Sequence, residues 1–151
     1  MIDISFRAAT EADLPSILDL YSQPELDDGK VLTLPAAQAV FNQINALPGY
    51  GLYVAVHEQQ IVGTFALMIM PNLGHCGTPS GVLEDIVVTP EQQGLGIGTA
   101  MIEEAMRLCG AAGCYKMTLS SNLKRERAHA FYDKLGFDKH GYSLRIAIAG
   151  E

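Results

Sequence analysis

The sequence predicts an α/β chain with a mixed, mainly antiparallel sheet and elements in the order βααββ-βαβαβ. Three observations predict it. Short stretches with strand-like alternation or β-branched runs trade places with stretches of helical apolar period. A length of 151 residues suits one domain, residues 1–151, with enough chain to bury a core. A glycine-rich turn, Gln93-Gly94-Leu95-Gly96-Ile97-Gly98, joins an apolar strand to an amphipathic helix.

Ile2 to Arg7 alternates and reads as a first strand. Thr10 and Asp13 form a capping-box-like start for a helix over about Glu11 to Tyr21. Ser22 to Lys30 is an acidic loop with Glu25, Asp27 and Asp28. Thr33 caps, with Pro35 in the first turn, a helix over about Leu34 to Ala46, which Pro48-Gly49 ends. Leu52 to Val56 and Ile61 to Met70 read as a hairpin around Glu58-Gln59-Gln60. Pro71 to Ser80, with two Gly and two Pro, is a loop. The strand Val82 to Val88 follows, then the glycine turn and a helix to about Gly110 with Ile97, Met101, Ala105 and Leu108 as its stripe. Tyr115 to Leu119 reads as a strand, Arg125 to Leu135 as a helix and Leu144 to Ile148 as a final strand.

Composition narrows the function. Apolar residues make up 48% and charged residues 18%, as in a globular chain. A net charge of −7 argues against nucleic acid or an anionic membrane as partner and suits an amine-bearing ligand. No apolar run is long enough for a membrane span, and the N-terminus does not read as a signal peptide. Cys76, Cys109 and Cys114 are an odd set without metal spacing and read as reduced thiols, hence a cytoplasmic setting. His75 and Cys76 share a loop but make no metal set.

The glycine turn leaves backbone N–H groups bare at a helix start, where the dipole favours a phosphate or pyrophosphate. No Lys follows it, so it is not a Walker A loop. Its G-x-G-x-G spacing, and the absence of an acid after the next strand candidate, separate it from a dinucleotide fingerprint.

Gln93-x-x-Gly96-x-Gly98 resembles the Q/R-x-x-G-x-G/A pyrophosphate loop of the GNAT N-acetyltransferase superfamily. Glu84-Asp85-Ile86-Val87-Val88 precedes it as that family's fourth strand does. Ala128-His129-Ala130-Phe131-Tyr132-Asp133-Lys134-Leu135-Gly136-Phe137 is similar to the family's late A-x-x-F-Y-x-x-L-G-F signature. The match runs over about Ile4 to Ile146. The resemblance implies a GNAT fold with a sheet of six or seven strands flanked by four helices, acetyl-CoA as cosubstrate and a homodimer.

It also implies roles. The amides of Gln93, Gly94, Leu95, Gly96, Ile97, Gly98 and Thr99 would hold the diphosphate. Ile86, Val87 and Val88 would line the pantetheine arm through their backbone, with Val88 pairing to it. The Ile86 N–H would face the thioester carbonyl, and one good donor there is worth roughly 3 kcal/mol. Tyr132 would sit beside the sulfur as the acid for the leaving thiolate, a role its ordinary pKa near 10 permits. Without the family context, Tyr132 is a half-buried helix tyrosine packed with Phe131.

Glu84 and Asp85 are adjacent, so in a regular strand they face opposite sides. Either could bind the amine or take its proton, and a salt bridge or an exposed edge explains them equally. Glu84-Asp85 and Cys114-Tyr115-Lys116 resemble glucosamine-6-phosphate N-acetyltransferases, although Ser120 stands where those carry an acid. Ser121 to His129 resembles a branch that includes aminoalkylphosphonate N-acetyltransferase. There Asn122, Lys124 and Arg125 would hold CoA phosphates or an acidic group of the acceptor. His129 lies three residues before Tyr132 on one helix face and would relay a proton or simply pack.

The reading is an acetyl-CoA-dependent N-acetyltransferase of a small primary amine, by direct attack. The alternatives are a CoA-binding regulatory module without turnover and an enzyme acting on a protein N-terminus or lysine. Asp27 to Leu32 and Pro71 to Ser80 are the expected acceptor walls.

Overall fold

The computed structural model describes residues 2–24, 26–121 and 125–148. These residues divide into two compact units, Met1–Leu119 and Ser120–Glu151.

The first unit holds a five-stranded sheet. Its strands are β1 (Ser5–Ala8), β2 (Tyr50–His57), β3 (Gln60–Met70), β4 (Ser80–Val88) and β5 (Met117–Leu119), paired in that order. Pairing is antiparallel from β1 to β4, and β5 joins β4 in parallel. The sheet is mixed and mainly antiparallel, as expected, but among the described residues it has five strands rather than the six or seven implied by the resemblance. The segment expected as a last strand, Leu144–Ile148, takes no strand structure. Its alternating pattern calls for a neighbouring strand and a core to receive its apolar face. Here Leu144, Ile146 and Ile148 are instead 83–90% exposed, and Tyr142 is 94% exposed.

Helices α1 (Leu14–Tyr21) and α2 (Leu34–Asn45) cover one face of the sheet. Leu14, Ile17, Ala37 and Phe41 bury there against Leu52, Val54 and Ala66. A short turn, Glu11–Asp13, leads into α1. The Asp13 carboxylate accepts from the Thr10 N–H at 2.7 Å, as the capping-box pattern requires. Asp13 also takes both arms of the Arg7 guanidinium, at 2.6 and 3.0 Å. Thr33 caps α2 by accepting from the Ala36 N–H.

Helix α3 (Ile97–Ala111) packs on β3 and β4. Its buried stripe is Ile97, Met101, Ile102, Ala105 and Cys109, so Cys109 rather than Leu108 goes deepest in the last turn. The approach is close, because a Cβ on Gly81 of β4 would run into the Cys109 sulfur. The second unit contains α4 (Glu126–Lys134). Among the described residues no helix is long and apolar enough to cross a membrane.

Candidate active site

β4 is regular up to Glu84 and then breaks. Glu84 pairs with Ala66 and Val87 with Thr64, so Asp85 and Ile86 together oppose Phe65 alone. This is a β-bulge, and its extra residue sits at a strained angle: Asp85 has φ +52°. Asp tolerates the left-handed region better than most residues do, because its short polar side chain bonds locally. Pairing of β4 with β5 covers only Gly81 to Leu83 among the described residues. Beyond Leu83 one edge of β4 therefore lacks a strand partner there. Ile86 and Val88 are half-buried and Val87 is buried.

The Val88 carbonyl accepts from Gln93 Nε2 at 3.4 Å, which ties the glycine turn back to the strand. It also accepts from Gln23 Nε2 at 3.1 Å. Gln23, just past α1, carried no sequence signal, since the contact spans 65 positions.

The turn has the form the sequence predicts. Gly94 and Gly96 both take positive φ, +84° and +86°. Gly96 is the residue before α3, and no side chain caps that helix start. Gln93, Gly94, Leu95 and Gly96 are exposed. Ala100 N–H donates to the Gly96 carbonyl at 3.0 Å as the first bond of the helix. The N–H groups of Ile97, Gly98 and Thr99 come before it and have no partner within the helix. A Cβ on Gly94 or Gly96 would meet nothing within 4 Å. The glycines serve the backbone angle and keep the space before the amides open, the form an anion site takes.

In the second unit, Tyr132 is buried at 8% exposure. Burial raises its phenol pKa, and the positive Arg125 pulls the other way. Its ring lies 5.4 Å from Phe131 and 5.6 Å from Phe137. The Leu-Gly-Phe sequence after it has a local cause. Phe137 N–H donates to the Tyr132 carbonyl and Gly136 N–H to that of Asp133, both at 3.1 Å. Those two bonds close α4 in a Schellman motif, and the Tyr132–Phe137 ring contact is its hydrophobic clasp. Arg125 is the residue before α4. Asn122 and Lys124 lie outside the described residues.

A cavity of about 260 Å³ opens in the first unit between α1, α2 and the sheet. Asp85 lines it, and Glu84 does not. Asp27 and Leu32 also line it, whereas Pro71 to Ser80 contributes no residue. Tyr21 and Tyr50 complete its polar part. The four groups feel one another. Asp85 is exposed at the edge of this cavity, yet partial loss of water around its carboxylate and then the charge of Asp27 raise its pKa. Burial and then Asp85 raise those of Tyr21 and Tyr50, and of Glu84 beside them. A more open, polar hollow lies around Arg7 and Asp13, whose charges already satisfy each other.

The sequence relates this chain to known proteins. The family described as "Acetyltransferase (GNAT) family" matches residues 14–137. Glucosamine 6-phosphate N-acetyltransferase of Trypanosoma brucei brucei is 32% identical, over 98% of each chain. Aminoalkylphosphonate N-acetyltransferase of Salmonella typhimurium is 28% identical over 67% of this chain and 65% of its own. A putative acetyltransferase from Agrobacterium tumefaciens superposes with a TM-score of 0.87 at 33% identity, covering 95% of this chain and 99% of that one. The bulged strand, the open glycine turn and the Tyr132 helix end therefore stand in a chain that belongs to the GNAT family and is an acetyltransferase.

Proposed function

We propose that the chain moves the acetyl group of acetyl-CoA to the primary amine of a small molecule by direct attack. The single observation that carries this is the Asp85–Ile86 bulge set just ahead of an uncapped, sterically open helix start. Gln93 to Thr99 offer amides to the diphosphate, and the edge of β4 from Ile86 to Val88, which has no strand partner among the described residues, offers backbone to the pantetheine arm, with Gln23 and Gln93 already on the Val88 carbonyl. The cosubstrate supplies an activated acyl carbon as a thioester.

The chain's residues then divide the work. Asp85 receives the incoming ammonium and takes up one proton, directly or through water, with Glu84 adding negative charge nearby. The freed nitrogen lone pair forms the C–N bond, and the C–S bond breaks. The Ile86 N–H steadies the negative oxygen during attack. Tyr132 gives its proton to the departing thiolate and regains one from the nitrogen by way of solvent. One proton is released overall. Raised pKa values suit both assignments: Asp85 becomes a better proton acceptor, and Tyr132 stays protonated at neutral pH. Arg125, at the head of the Tyr132 helix, and Asn122 belong to the CoA-binding set in this reading.

Two further parts of the proposal rest on other observations. The three cysteines are all unpaired thiols, in keeping with a reducing, cytoplasmic compartment. The exposed apolar side chains of Tyr142, Leu144, Ile146 and Ile148 are the kind of surface that a second copy covers, which supports a homodimer.

The test is thiol release from acetyl-CoA with a panel of amines, for the wild type and Tyr132→Phe. A general acid predicts a fall in kcat of about a hundredfold with CoA affinity kept. Unchanged kcat would remove Tyr132 from the chemistry. Tight CoA binding without turnover on any amine would favour a regulatory module.

A further inference from the structure

The cavity beside Asp85 has a composition that the relatives' substrates do not explain. Ten of its fourteen lining residues are aliphatic or Phe, among them Ile17, Val40, Phe41 and Leu52. The remaining four are Tyr21, Tyr50, Asp27 and Asp85. No Lys, Arg or His lines it among the described residues. Both carboxylates line the same cavity as Tyr21, and both add negative charge beside it. A phosphate or phosphonate seated here would meet two negative groups and no positive one. A sugar would press its hydroxyls on hydrocarbon, where each unmade hydrogen bond costs free energy.

We propose that this cavity seats the acceptor, and that the acceptor is an alkyl- or arylalkylammonium ion. Its cationic head lies at Asp85 with Asp27 behind, and its hydrocarbon body lies between α1 and α2. The assignment rests on the acetyltransferase reading and adds the substrate class. At about 260 Å³ the cavity is of small-molecule size, on the order of eight waters at about 30 Å³ each. Charge complementarity fixes which end enters, and the apolar walls supply affinity without help from an anionic group. Bulge geometry serves the same end. The left-handed turn at Asp85 breaks the strand alternation, and Asp85 lines the cavity while Glu84 does not.

The experiment uses the full chain with phenethylamine and hexylamine on one side, glucosamine 6-phosphate and 2-aminoethylphosphonate on the other. Binding is read by saturation-transfer NMR and calorimetry without acetyl-CoA, and turnover by thiol release. The hydrocarbon amines are expected to bind and to exceed the phosphorylated ones in kcat/KM by at least about tenfold. Asp85→Asn should weaken phenethylamine binding about tenfold and leave 2-phenylethanol, its uncharged counterpart, unchanged. Val40 is 41% exposed, so Val40→Arg keeps the fold; it should shift preference toward the phosphorylated amines.

Binding of hydrocarbon amines without any turnover would support the cavity assignment and sink the catalytic reading. Turnover of phosphorylated amines alone, with no binding of hydrocarbon amines, would do the reverse. Equal loss of amine and alcohol binding in Asp85→Asn would also overturn the placement of the ammonium.

Discussion

Replacing Gly96 by Ala tests whether the glycine turn holds the cosubstrate. Gly96 has φ +86° and ψ 6°, and a Cβ there meets nothing within 4 Å. The added methyl therefore costs backbone strain and no collision. A left-handed L-residue costs about 1–2 kcal/mol, and the stiffer unfolded chain returns about 0.4–1 kcal/mol, leaving a net loss of about 1 kcal/mol. For a chain of 151 residues this lowers Tm by about 2–4 °C. Binding should suffer more. A methyl in the open space before the amides blocks close approach of the diphosphate. One lost charge-assisted hydrogen bond of about 1.5–3 kcal/mol weakens CoA roughly ten- to hundredfold. The control is Gly113→Ala, beyond the other end of α3. Gly113 has φ +80° and the same empty surroundings. The two variants should show similar thermal shifts, and calorimetry with CoA should separate them. Equal CoA affinity in both would refute the placement of the diphosphate on this turn.

Three other outcomes follow from the same geometry. Asp85→Asn should raise Tm while it lowers turnover. The folded state holds the Asp85 pKa above its unfolded value, so the carboxylate costs stability as pH rises through that interval, and a neutral amide that also tolerates positive φ removes the cost; an unchanged or lower Tm at pH 7 counts against it. Asp13 is the opposite case. The Arg7 guanidinium, with help from the Thr10 backbone, holds its pKa down at about 2. Its contribution is full above the ordinary carboxylate range and is lost as pH falls from about 4 toward 2. Because Arg7 is half exposed, this amounts to about 1–2 kcal/mol, and acid unfolding of Asp13→Asn against wild type should show the gap closing at low pH. Gly81→Ala should destabilise by about 1–3 kcal/mol, since the Cβ enters the space of the buried Cys109 sulfur. Adding Cys109→Ala should recover part of that loss in urea melts; no recovery would mean that α3 does not press on β4 at this point.

What was legible in the sequence depends on how local the cause is. The turn at Gly94 and Gly96 is legible because few residues but glycine accept its angles, and the helix after it follows from a stripe of nearby side chains. The end of α4 is legible for the same reason: the Tyr132–Phe137 clasp and its two backbone bonds are made within six residues. The neighbours of Asp85 are another matter. Strand alternation sends Glu84 and Asp85 to opposite faces, but the bulge inserts Asp85 and Ile86 opposite Phe65, and the pairing that creates it comes from a strand some twenty positions away. No window on β4 contains that information. The cavity draws on α1, α2, β2, β3 and β4 at once, so its apolar lining is indistinguishable in sequence from ordinary core. The segment from Leu144 to Ile148 marks the opposite limit. A period-two apolar pattern records what a strand needs, a partner and a covered face, and not whether one copy of the chain supplies them. Gln23 is the last case: a polar residue after α1 has no visible purpose until the fold sets it on the Val88 carbonyl, 65 positions along the chain. Residues whose purpose is to hold backbone in place act through distant main chain, and sequence patterns built on side-chain periodicity are blind to them.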